Sequence, residues 1–366
     1  MQIKEITNYL ERLAPLAYQE SYDNAGLLVG NAADEVSAAL LTLDVTEEII
    51  EEAIYGEYQL IIAHHPLIFS GIKKINGKNE VERCLIKAIR HNIAVYAAHT
   101  NLDNVSCGVN KKICEKLHLQ DCRILAPMDH QLVKLVTYVP EASVGIVQEA
   151  LFQAGAGHIG SNYDSCGFSV AGTGQFRALK GSHPYVGMIG EVHHEKEVRF
   201  ETIFPARLQP SVIAALTSHH PYEEVAYDLY PLKNACNQTG AGMIGLLSGP
   251  VEEEVFLHEL KNTFHCKVVR HSPLLNRTVR RVAVCGGAGS FLISKAIRAK
   301  ADIFITGDLK YHEFFQAENQ IILADIGHFE SEQFTKEVFH ELLTKKFPKF
   351  AIHLSEINTN PVNYLI

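Results

Sequence analysis

The run Leu60-Ile61-Ile62-Ala63-His64-His65-Pro66 decides how this chain reads. Four consecutive apolar residues suit a strand buried on both faces, and such strands belong to parallel sheets covered by helices. The run turns polar abruptly at His64. Pro66 donates no ladder hydrogen bond and keeps His65 extended, so the strand ends there. Adjacent strand residues point to opposite faces, so the two imidazoles converge only if the backbone turns at this point.

The neighbouring sequence repeats the pattern. Strand Ala38–Leu43 leads into Asp44-Val-Thr-Glu47, which reads as a capping-box start for a helix with apolar Ile49, Ile50, Ala53 and Ile54. A helix around Val81–His91 and a strand at Ile93–Ala98 follow, and the latter runs into His99-Thr-Asn-Leu-Asp103. After residue 236 the rhythm returns: Val279–Val284 into Gly286-Gly-Ala-Gly289, Asp302–Thr306 into Gly307-Asp308, and Ile321–Ala324 into Asp325-Ile-Gly-His328. A polar-faced helix to about Lys346 and a strand at Phe350–Leu354 complete it. This alternation predicts an α/β fold with parallel-type sheet strands and flanking helices.

The middle of the chain has another order. Strand Leu132–Val139, a helix with Val144, Val147, Leu151 and Ala154, short strands in a Gly- and Ser-rich stretch, strand Glu197–Phe204, helix Leu208–Ser218 and strand Val225–Leu232 make β-α-β, β-α-β. That is the order of a ferredoxin-like α+β unit. The predicted organisation is one main domain built from residues 1–127 and 234–366, interrupted by an insert at 128–233.

Composition narrows the function classes. The 366 residues are 47% apolar and 20% charged, which excludes a disordered or collagen-like chain and allows two or three domains. A net charge of −9 lacks the footprint of a duplex nucleic-acid binder. Residues 1–20 lack the basic-then-apolar layout of a signal peptide, and no apolar run is long enough to span a bilayer. The eight cysteines include no C-x-x-C pair, which predicts reduced thiols and a cytoplasmic protein without membrane partners.

Ligands bind beyond the carboxyl ends of parallel strands. Here those ends carry His64-His65, His99 with Asp103, Asp308 with His312, and Asp325 with His328 and Glu332. His64 and His65 suit two metal ions, one imidazole for each. His328 and Glu332, four apart at a helix entry, share a face, and Asp103 is placed to bridge the ions. The predicted metal ligands are therefore His64, His65, Asp103, His328 and Glu332. Imidazole plus carboxylate without thiolate suits zinc, iron(II) or manganese alike. Such a pair acidifies water for hydrolysis through a bridging hydroxide, with His312 or Glu332 as proton shuttles.

Other histidines read differently. His219-His220-Pro221 follows a helix rather than a strand, and with His193-His194 it is expected to be solvated or hydrogen-bonded. Gly286–Gly289 lacks a dinucleotide or P-loop pattern and reads as a tight βα turn ahead of a phosphate cradle. Asp308 reads either as an N-cap or as an outer partner of the site.

Ser21-Tyr-Asp-Asn-Ala-Gly-Leu-Leu-Val-Gly30, Leu43-Asp-Val-Thr46, Ala63-His-His-Pro-Leu-Ile-Phe69, His99-Thr-Asn-Leu-Asp103, Gly307-Asp-Leu-Lys-Tyr-His312 and Gly327-His-Phe-Glu-Ser-Glu332, in this order, resemble the NIF3-like dinuclear metal-centre family, the GTP cyclohydrolase 1 type 2 homologues. Gly155-Ala-Gly-His-Ile-Gly160 and His220-Pro-Tyr-Glu-Glu-Val-Ala-Tyr-Asp228 resemble the PII/CutA-like insertion of its long bacterial members. Tyr22 stands where the family ordinarily has tryptophan. The resemblance implies a homohexameric toroid with metal sites facing an internal cavity, and ligands at the same five positions. It implies a metal-dependent hydrolase of a nucleotide or related heterocycle; the alternative is a metal-binding regulatory scaffold whose insert senses a small molecule.

Overall fold

The computed structural model describes residues 1–129, 131–160, 162–234 and 236–365. These form two compact units, one of residues 1–127 with 237–366 and the other of residues 128–236.

Leu60–Ala63 lies at the centre of the first sheet, with all four residues buried. It runs parallel to Ala38–Thr42 on one side and Ala94–Ala97 on the other. Ala351–Leu354 adds a further parallel strand in register Ala351↔Ala38, and Gly26–Val29 closes the other edge antiparallel. Helices Glu47–Tyr55 and Glu80–Arg90 lay Ile49, Ile50, Ala53, Leu85 and Ala88 against Leu40, Ile61 and Val95. Each buried Leu or Ile contributes ~1.5–3 kcal/mol of transfer free energy. The first of these helices starts on Thr46, whose hydroxyl accepts the Ile49 amide, so Thr46 and not Asp44 is its cap. Asp44 is left free for another partner.

The second sheet has the order Arg270–His271, Ile322–Asp325, Ile303–Gly307, Thr278–Ala288, Gly240–Glu252, Gln120–Pro127. Its three successive strands Thr278–Ala288, Ile303–Gly307 and Ile322–Asp325 are parallel, and the rest pair antiparallel. The main unit thus holds two mixed sheets, not a purely parallel arrangement. Antiparallel edges need no crossover helix, so the βα rhythm carries no sign of them. Gln120–Pro127 comes from the first outer segment and Ala351–Leu354 from the second, so each segment completes the sheet of the other.

Strand Thr278–Ala288 runs straight through Gly286 and Gly287 of the glycine segment. The Gly286, Gly287 and Gly289 amides donate to Asn110 Oδ1 at 3.0 Å, Ser331 Oγ at 2.9 Å and Thr306 Oγ1 at 2.8 Å. Those donors are spent inside the protein, so the segment is no phosphate cradle, and Gly289 alone joins the strand to the helical turn Ser290–Leu292, a tight βα connection.

In the unit 128–236, four antiparallel strands have the order Gly167–Arg177, Val192–Pro205, Leu132–Pro140, Tyr227–Pro231. Along the chain, helix Val144–Gln153 follows the first strand and helix Gln209–His219 precedes the last. Val147, Leu151, Val212 and Leu216 from the helices pack on Val133, Leu135, Phe200 and Phe204. Among the described residues, no helix is long and apolar enough to cross a membrane.

Candidate metal centre

The carboxyl ends of the parallel strands from both sheets of the main unit deliver the polar residues to one place. His64 and His65 leave Leu60–Ala63, His99 leaves Ala94–Ala97, and the helical turn His328–Glu332 follows Ile322–Asp325. Gly327, with φ of 96°, makes the bend into that turn, a conformation that suits glycine.

Four imidazoles are oriented from behind. Nδ1 of His64 lies 2.8 Å from the Ala98 carbonyl, that of His65 2.7 Å from Asp44, that of His99 2.8 Å from Asp23, and that of His328 2.7 Å from Asp308. A carbonyl or carboxylate only accepts, so each Nδ1 donates and each Nε2 is left to face inward. Asp308 is thereby an outer partner of the cluster, one of the two roles the sequence leaves open.

Two groups of ligand atoms converge around Glu332. Its Oε2 is 2.9 Å from His65 Nε2 and 3.1 Å from His328 Nε2, and those two nitrogens are 3.3 Å apart. Its Oε1 is 3.7 Å from His64 Nε2, which is 3.6 Å from Asp103 Oδ1. The triads His65–His328–Glu332 and His64–Asp103–Glu332 each have ligand atoms close enough to hold a metal ion. His64, His65 and His99 form another such triad.

The donor set fits a cation. Among the described residues, His64 Nε2 and Asp103 Oδ1 are buried without a hydrogen-bond partner, and an unsatisfied buried polar atom costs ~1–3 kcal/mol. Burial lowers the pKa of His65, but hydrogen bonds to Asp44 and Glu332 outweigh it and hold the group at about 10. The same competition, with Glu332 and Asp308 as partners, holds His328 at about 9. Burial and the charge of Glu332 push Asp103 up to about 8. Burial alone would raise Glu332, but the surrounding imidazoles keep it well below the usual carboxylate range. Positive charge is thus what this pocket accommodates.

Gly287 makes room for the carboxylate. Its φ is +61°, and a Cβ there would fall 2.5 Å from Glu332 Oε1.

All five sequence-predicted ligands therefore meet. Glu332 presents an oxygen to each triad, whereas Asp103 Oδ1 lies beside His64. His312 is not brought to the cluster. Its exposed ring packs on Tyr311 and Phe315, because the chain reverses at Asp308, with φ of 56°, and enters a separate turn. Imidazoles face both oxygens of Glu332. Sequence reasoning missed the roles of His99, Asp23 and Asp44. The available signal is an acidic residue two positions beyond the strand ending at Thr42, at a place a helix cap also explains.

The cluster lies between two cavities. One, about 390 Å³, is lined by Tyr22, Phe69, His99, Asp103 and Phe291. Tyr22 and Phe69 stack there at 6.5 Å with 24° between planes. The other, about 500 Å³, is lined by Asp44, Asp308 and Tyr364, and His65 and His328 line both. A larger cavity of about 600 Å³ beside Gly30 and Asn92 is lined by no histidine or cysteine.

A family profile described as Duf34/NIF3 (NGG1p interacting factor 3) matches residues 1–361. A Bacillus subtilis protein named GTP cyclohydrolase 1 type 2 homolog is 39% identical over 99% of this chain and 98% of its own length. A crystal structure of a Bacillus cereus protein related to NIF3 superposes with a TM-score of 0.83 at 38% identity, covering 100% of this chain and 99% of that one. The Staphylococcus aureus protein SA1388 superposes with a TM-score of 0.81 at 30% identity, over 100% and 99%.

Proposed function

This chain belongs to the Duf34/NIF3 family, and from that premise we propose that it holds two divalent metal ions and hydrolyses a nucleotide or related heterocycle. His64, Asp103 and Glu332 would hold one ion, and His65, His328 and Glu332 the other. The observation that carries the metal assignment is the pair of buried atoms His64 Nε2 and Asp103 Oδ1, 3.6 Å apart and without a hydrogen-bond partner among the described residues. Bound ions supply Lewis acidity to such a site, and zinc, iron(II) and manganese all suit its donors.

The protein's own groups do the rest. Ala98, Asp44 and Asp308 hold the Nδ1 protons and so aim the three ligand nitrogens. His99, held by Asp23 and lining the 390 Å³ cavity, is the group placed to carry a proton to or from the substrate. Burial alone would raise Asp23, but hydrogen bonds from His99 and Thr100 keep it ionised, with a pKa of about 2. Tyr22 and Phe69 offer stacked faces to a planar ring, which supports a heterocyclic substrate, and the curated relatives carry the GTP cyclohydrolase name.

The β-α-β-β-α-β order and sheet order of residues 128–236 support a ferredoxin-like, PII/CutA-like insert. Eight free thiols support a reducing, cytoplasmic compartment. A homohexamer follows from the sequence resemblance, and analytical ultracentrifugation tests it.

The deciding experiment is metal analysis of protein purified without added metal, followed by a turnover screen over GTP and other nucleotides. Two ions per chain and chelator-sensitive turnover are expected. Undiminished turnover by a metal-free His64→Ala protein would overturn the reading.

A further inference from the structure

We propose that the unit 128–236 carries a binding site for a compact organic cation, an alkylammonium or guanidinium head, held between Glu197 and the rings of Phe176, Tyr185 and Tyr222. This site is independent of the metal centre and of the hydrolase reading.

Glu197 stands in the strand Val192–Pro205 opposite Gly172, and it is only 8% exposed. The carboxylate has room because its neighbours on the adjacent strand have no side chains. A Cβ on Gly174 would lie 2.0 Å from Glu197 Oε2, and the space beyond Gly172 is open. One oxygen of Glu197 accepts the Tyr222 hydroxyl at 2.8 Å. Among the described residues no Lys, Arg or His pairs with it. Lys134 and Arg199 pair with Glu201 and His193 with Glu195, while Arg177 lines the same cavity without an ion pair to Glu197 among the described residues. A buried carboxylate without a cationic partner is costly, and a bound cation would relieve that cost.

The space beside it is shaped for one. Glu197 lines a cavity of about 400 Å³ whose wall includes Phe176, Tyr185 and Tyr222. Tyr222 lies 5.9 Å from Phe176 and 6.2 Å from Tyr185, centroid to centroid, with the planes inclined by 57° and 52°. Inclined aromatic faces around one carboxylate attract a cation through their quadrupoles. Glu197, Glu223 and Glu224 outnumber Arg177 on this wall and so disfavour an anion, and a neutral apolar guest would leave Glu197 without a cationic partner. A hard metal ion is disfavoured too, since among the described residues Glu197 belongs to no triad able to hold one.

Isothermal titration of the full chain with tetramethylammonium, butylamine and agmatine at constant ionic strength tests this, with sodium butyrate as the anionic control. At least one cation should bind saturably with Kd below about 1 mM, and Glu197→Gln should weaken it at least about tenfold while bound metal stays unchanged. No saturable binding, equal binding by Glu197→Gln, or butyrate binding as tightly as the cations would each overturn the proposal. Should circular dichroism show Glu197→Gln unfolded, Phe176→Ala decides in its place: loss of binding supports the site and full retention overturns it.

Discussion

The tripeptide His-His-Pro occurs twice, at 64–66 and at 219–221, and the two copies meet opposite fates. In the first, His64 Nδ1 is anchored on the Ala98 carbonyl while its buried Nε2 has no hydrogen-bond partner among the described residues. In the second, His220 is equally enclosed but spends both nitrogens: Nε2 donates to the Tyr138 carbonyl at 3.0 Å and Nδ1 accepts the Tyr222 amide at 3.1 Å. Burial lowers its pKa, so it stays neutral. His219 turns back onto the Ala215 carbonyl in the last turn of its helix, an oxygen that Ser218 also approaches. A strand end in a parallel sheet opens into a shared crevice, whereas at 219–220 neighbouring backbone groups take up the imidazole nitrogens. The same three letters therefore give a converging ligand in one place and a structural tie in the other.

The sharpest way to break this contrast is to remove one imidazole from each pair. His64→Ala should lower metal affinity more than about 100-fold, beyond the usual cost of losing an outer partner, while His220→Ala leaves it unchanged. Elemental analysis after dialysis reads both, and equal metal content in the two variants would erase the distinction.

Protons supply a second test. His65 at about 10 and His328 at about 9 lie above the ordinary 6.5, so in the metal-free chain their stabilising contribution is complete below pH 6.5 and is lost as pH rises through 9 to 10. A metal ion must displace both protons. Uptake by that triad near pH 7.5 should release about two protons, and affinity should rise up to about 100-fold per pH unit until pH 9. Calorimetry in buffers of different ionisation enthalpy counts them; zero proton release would contradict the arrangement.

A smaller effect is expected one bond further out. Asp308→Asn should weaken metal binding about 10- to 100-fold, because it loosens the hold on His328 Nδ1. His220→Ala has the mildest consequence, a loss of ~1–3 kcal/mol of stability from two broken hydrogen bonds, visible by calorimetry with bound metal unaltered. If His220→Ala instead depleted metal, its role as a structural tie would fail.

Much of the architecture was legible because burial patterns are local. Leu60–Ala63, Leu132–Pro140 and Thr335–Lys346 lie close to where their apolar residues put them. Errors gathered where one residue type serves two purposes. Asp44 looks like a helix cap until Thr46 takes that place, and Gly286–Gly289 looks able to cradle a phosphate until its amides are seen to be spent. His99 and Asp23 gave no local sign of working together, since 76 residues separate them.

The apolar strands, their abrupt polar ends and the resemblance to a known family were determined by the sequence itself, because strand burial and motif order are properties of neighbouring residues. Which carboxylate stands between the imidazoles was decided only by tertiary structure. Glu332 reaches His65 across 267 positions of chain, at 2.9 Å, because two sheets place the ends of their parallel strands together and Gly287 leaves the carboxylate its space.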